Sequence, residues 1–76
     1  MPVIGAMYRL TVRGRALPNL YRFEREEAEH CQLHGDYTGQ RWLFRKRRNS
    51  DKRPWGSALH SYSADNPDLR IERVTE

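Results

Sequence analysis

From Glu24 to His34 the chain reads EREEAEHCQLH. The stretch holds no Gly, Pro or β-branched residue, and most of it consists of good helix formers. The acids Glu24, Glu26 and Glu27 cluster at its start, where a helix dipole favours negative charge. Gly35 follows His34 in the position of a C-terminal cap. The sequence therefore predicts a helix over 24–34. Its apolar stripe is thin, Ala28 and Cys31 with Leu33, and about 11 residues need tertiary support to stay helical. The Ala28/Cys31 face is expected to lie on a sheet.

The flanking segments predict that sheet. Met7–Arg13 (MYRLTVR) alternates with a period of two, placing Tyr8, Leu10 and Val12 on one face. Gly14 to Asn19 carries Gly, Pro and Asn and reads as a loop. Leu20–Phe23 resumes the alternation and completes an antiparallel hairpin. Asp36–Gly39 (DYTG) reads as a turn. Gln40–Arg47 reads as a third strand, with Trp42 and Phe44 inward and Arg41, Leu43, Arg45 and Arg47 outward. Ser57–Ser63 is a weak fourth strand, Asp65–Asp68 (DNPD) a turn, and Leu69–Val74 a last strand. The expected architecture is α+β in ββαβββ order: an antiparallel sheet of four to five strands with one helix on one face. Residues 1–6 read as a flexible extension or an upstream start, and residues 7–76 as one domain.

Charge supplies the functional clue. Arg41 to Arg53 (RWLFRKRRNSDKR) holds half of the fourteen basic residues and one acid, a net +6 in a chain of net charge +4. Trp42 and Phe44 lie within the run and Trp55 follows it. Cations displace phosphate counterions and aromatic rings stack on bases, so such a run suits a polyanion surface. The candidate contacts are Arg41, Arg45, Lys46, Arg47, Arg48, Lys52, Arg53 and Trp55. Trp42 and Phe44 are expected in the core rather than on a ligand. Trp55, beside Pro54 in a predicted loop, either stacks on a ligand or folds back over the core edge. A charged strand face also protects an edge and keeps a small domain soluble.

Other classes find little support. Seventy-six residues with 37% hydrophobic content and a mean hydropathy of −0.99 make a thin core, which leaves little room for an enzyme pocket. One cysteine, Cys31, allows no internal disulfide and points to a reducing, cytoplasmic interior. No signal peptide and no membrane-spanning run is read. His30 and His34 would share a helix face, but a structural zinc site would have to recruit distant His60 as well as Cys31. No metal, cofactor or catalytic group is expected. The five glycines form no phosphate loop.

The join YRFEREEAEHC, the one-sheet-one-helix plan and the small size resemble proteins encoded by phages and mobile elements, anti-CRISPR proteins among them. The resemblance implies a non-enzymatic inhibitor that occupies the nucleic-acid-binding surface of a host guided complex. It carries over no functional residue, and the basic run departs from acidic, DNA-mimicking members. The expected function is a non-enzymatic module contacting nucleic acid or a nucleic-acid-handling complex, the alternative being such a protein-directed inhibitor. The acidic helix face opposite the Arg strand suits self-association, a homodimer included, or a basic partner, and equally a solvated surface.

Overall fold

A computed structural model describes residues 2–48 and 55–75. Five antiparallel strands form one sheet: β1 (Met7–Val12), β2 (Arg15–His30), β3 (Tyr37–Arg47), β4 (Trp55–Ser63) and β5 (Leu69–Val74). The spatial order is β4-β3-β2-β1-β5, a meander whose last strand returns to the open side of β1. The fold is all-β, and the expected α+β architecture is corrected. No helix occurs among the described residues.

The segment expected to be helical is the second half of β2. Residues 25–30 pair with β3 from Leu43 to Tyr37. A bulge explains the false helical signal. Phe23 faces Phe44 and Arg25 faces Leu43, so Glu24 is an extra residue on β2. Cross-strand partners share a face, so the inward set runs Tyr21, Phe23, then Glu26 and Ala28. The step of three at the bulge imitates helical spacing. Ala28 is exposed rather than packed on a sheet. One turn of helix-like bonding survives in the β2–β3 loop, where the Gly35 amide donates to the Cys31 carbonyl at 2.7 Å. Gly35 has a φ of +71°, the conformation expected of a cap, here closing a hairpin.

Other boundaries shift too. The β1–β2 turn is Arg13-Gly14, both with positive φ (52° and 75°), as a two-residue type I′ hairpin requires. Arg15–Asn19, expected as loop, belongs to β2. Pro18 falls where the β1–β2 register jumps between the Leu20 and Ala16 pairs, a place that asks less of its missing N–H. Tyr37–Gly39, expected as a turn, begins β3. Residues Asp65–Asp68 do form a turn, in which the Asp68 amide donates to Asn66 Oδ1 at 2.9 Å. Pro2–Ala6 is tied to the sheet: the Gly5 amide donates to the Phe23 carbonyl, and the Phe23 amide to the Ala6 carbonyl.

The sheet must curl to bury a core by itself. β4 and β5 lie at opposite edges, four inter-strand steps or about 19 Å apart if flat. The short Ala64–Asp68 connection includes a turn and cannot bridge that span flat. Curling closes the inner face on Tyr8, Leu10, Tyr21, Phe23 and Phe44, all buried. Phe44 is the hub, 0% exposed, with Tyr8, Tyr21, Phe23 and Tyr62 arranged edge-on around it at centroid distances of 5.4–6.4 Å. Each such pair adds about 0.5–1.5 kcal/mol beyond area burial.

Burial raises the phenol pKa of Tyr21 and Tyr62 above 10.0, with a further push on Tyr21 from neighbouring Tyr62. The fold thus favours the protonated phenols. That stability is complete below the unfolded value and is lost as pH rises through the folded values. Denaturant midpoints should therefore fall above about pH 10, the unfolded phenol value, and fall less in Tyr62→Phe. Phe44→Ala should cost about 3–5 kcal/mol in urea unfolding, most of the stability of a domain this size. Arg13→Asn, which completes an Asn-Gly turn, should stabilise by a few tenths of a kcal/mol.

Candidate functional site

The basic strand lies directly beside the acids that the sequence places on a helix. Arg41, Leu43, Arg45 and Arg47 share the outer face of β3, as the alternation predicts. Across β2 the same face carries Arg22, Arg25, Glu27 and Glu29. The bulge adds Glu24, whose Oε1 accepts from Arg22 Nε at 2.7 Å and lies 3.4 Å from Arg45 Nε. Glu29 Oε2 lies 3.3 Å from Arg41 Nη1, and Glu27 Oε1 2.7 Å from Arg25 Nε.

Two of these arginines span three strands. Arg41 holds Glu29 on β2 and also donates to the hydroxyl and, at 3.2 Å, the carbonyl of Ser61 on β4. Arg45 holds Glu24 and donates to the carbonyls of Ser57 (2.7 Å) and Gly56 (3.3 Å). Those two carbonyls belong to the stretch where the β3–β4 register jumps between the Leu59 and Trp55 pairs. Between the two arginines Leu43, expected to be exposed, is only 8% exposed. Arg41 and Arg45, expected as ligand contacts, both have intramolecular partners.

Lys46, Arg47 and Arg48 follow at the end of β3. Lys46 pairs with Tyr21 and so points to the inner face, beyond the core. Arg48 is exposed. Arg47 pairs with Trp55 and places Nη1 3.9 Å from Met7 Sδ. Asn19 Nδ2 donates to the Arg47 carbonyl at 2.9 Å, anchoring this end of β3 to β2. Here the surface forms an open groove of about 440 Å³ lined by Lys46, Arg47, Arg48, Asn19, Ser57 and His60, with Gly56 and Ala58 at its wall. Among the described residues its lining carries three full cations and no carboxylate. No ion pair involving Lys46 or Arg48 occurs among the described residues.

Trp55 opens β4 rather than sitting in a loop. It is half-buried, with the Arg22 guanidinium 4.6 Å from its ring centroid. One ring face is thus already occupied by a cation. Lys52 and Arg53 lie outside the described residues. The basic run did not point to Asn19, Ser57 or His60. No local sequence pattern marks them; the strand pairing brings β2 and β4 to the end of β3.

His30 and His34 do not share a helix face: His30 ends β2, stacked edge-on with Tyr37, and His34 lies in the following turn. No group of three His, Cys, Asp or Glu that could hold a metal ion occurs among the described residues. No helix among them is long and apolar enough to cross a membrane, which says nothing about β-barrels. No protein-family model, no curated protein and no solved structure matches this chain.

The ion pairs differ in shielding, and this sets the size of their effects. Glu24 sits at 22% side-chain exposure between two arginines, whereas Glu27 is at 50%. Glu24→Gln should cost about 1–2 kcal/mol in urea unfolding, because Arg22 and Arg45 lose the carboxylate charge they share. Glu27→Gln should change stability by less than about 0.5 kcal/mol.

Proposed function

We propose that this protein is a non-enzymatic module that binds a polyanion, a nucleic-acid strand, in the groove at the end of β3. One observation carries the reading. Among the described residues of the basic run, Arg41 and Arg45 are held by Glu29 and Glu24, while Lys46 and Arg48 face a groove whose described lining holds no acid. A phosphate entering there meets a compact ammonium, guanidinium forks and the neutral donors of Asn19 and Ser57. The groove is of a size to take a nucleotide-sized segment. Binding releases counterions from the phosphates and so weakens with salt. Its sequence preference is weak, because positioning rests on phosphates. The lone thiol and a nucleic-acid ligand together support a cytoplasmic location.

Fluorescence anisotropy with labelled single- and double-stranded oligonucleotides tests this on nuclease-treated protein. For three to four phosphates on a single strand, affinity should fall roughly 20- to 50-fold between about 50 and about 200 mM salt. Lys46→Gln with Arg48→Gln should remove most of that salt dependence with the fold intact. Arg41→Gln with Arg45→Gln should alter stability more than affinity. Absence of binding at low salt would overturn the reading, leaving a protein-directed inhibitor as the class to pursue. So would an affinity that depends on Arg41 and Arg45 but not on Lys46 and Arg48.

A further inference from the structure

Among the described residues, the open strand edges include the outer sides of β4 and β5, and that of β2 beyond Phe23. Edges are templates for added strands, and proteins usually guard them with charge or proline. β5 carries Arg70, Glu72 and Arg73, and the open part of β2 carries Arg25, Glu26, Glu27 and Glu29. β4 reads WGSALHSYS, with no Lys, Arg, Asp, Glu or Pro over its nine residues. Its Trp55 end is irregular, but Leu59–Ser63 pairs regularly with β3.

The ladder fixes which backbone groups face outward. The Ala64 amide donates to the Gln40 carbonyl. Alternation then points the groups of His60 and Tyr62 toward β3, and those of Leu59, Ser61 and Ser63 toward solvent. We infer that this edge pairs antiparallel with the same edge of a second copy of the chain, about a two-fold axis through Ser61. That register sets Ser61 against Ser61 and Leu59 against Ser63 of the second copy. Every outward N–H and C=O of the three residues then has a partner. On the inner face, His60 meets Tyr62 of the second copy, an aromatic cross-strand pair. No formal charge lies within the seam, whereas self-pairing of the open part of β2 about Ala28 would set Glu27 against Glu29. Arg41 approaches the Ser61 carbonyl from the outer face and is neutralised by Glu29. A carbonyl oxygen accepts twice, so the in-plane bond stays available.

The two-fold axis stands perpendicular to the sheet, so the dimer turns both inner faces to the same side. The grooves at Ala58 are then offset by six residues along the strand, roughly 20 Å. Resting on the groove reading above, the dimer presents two phosphate sites to one strand of polyanion.

Sedimentation of the nucleic-acid-free full chain tests the pairing independently of ligand binding. An edge this short falls well below the roughly 1,200 Å² of standard interfaces, so the range to scan is about 10 μM to about 1 mM. The mean mass should climb from 9.1 kDa toward twice that value. Ser61→Pro should hold the chain monomeric; it spares the strand ladder, because the Ser61 amide makes no ladder bond within the chain, and gives up the hydroxyl that Arg41 reaches. Ser61→Lys, which sets like charges across the axis, should do the same and covers the case in which the proline variant misfolds. A mass that stays at 9.1 kDa at the highest concentration would overturn the inference and leave the edge to a strand of another protein. A dimer that survives both substitutions would overturn it as well.

Discussion

The structure depends on the acids of β2 lying against the arginines of β3. Glu24 and Glu29 each hold an arginine that reaches on to β4, so three strands are bridged through two guanidinium groups. Exposed ion pairs are worth little singly. Their weight here comes from what the alternative lacks. A helix over 24–34 would carry the same carboxylates away from β3, leaving a row of arginines beside one another on its outer face. As a strand, the segment offsets that repulsion, gains ladder hydrogen bonds and covers Leu43. Local helix propensity amounts to a few tenths of a kcal/mol per residue and loses to those contacts.

The inner face solves a different problem. A single five-stranded layer of this length has no second layer to pack against. Curling lets Phe44 gather aromatic rings from β1, β2 and β4, and the short connection between β4 and β5 closes the curl. Aromatic rings make this feasible in a small chain because each buries a large area. The bulge at Glu24 serves both faces. It ends the inward aromatic set at Phe23 and swings a carboxylate outward between Arg22 and Arg45.

Much of this was legible in the residues. The alternations of Met7–Arg13, Gln40–Arg47 and Leu69–Val74 identify β1, β3 and β5, with Phe44 inward and the arginines outward. Asp65–Asp68 announces its turn through Asn, Pro and Asp. The second half of β2 was not legible, because one inserted residue breaks a period of two, and composition then favours a helix. The same inserted residue bears on the site. The basic run is visible in any reading, but whether a given arginine is held within the chain depends on the strand beside it. With the acids assigned to a helix, Arg41 and Arg45 looked available. With the acids on β2, the groove cations Lys46 and Arg48 stand apart, and Asn19 and His60 join them through pairing that no local pattern reveals.

The conformation of residues 24–30 therefore decides both fold and site, and it is directly observable by NMR. Because β3 bonds to β4 through its even-numbered residues, Glu26–Trp42 and Ala28–Gln40 are the non-hydrogen-bonded pairs of β2 and β3, with Cα atoms about 4.5 Å apart. Strong contacts between the α-protons of Glu26 and Trp42, and of Ala28 and Gln40, are predicted. Sequential amide–amide contacts running through Glu24–His34, with those cross-strand contacts missing, would contradict the account. They would mean a helix there, and Arg41 and Arg45 free of their acids.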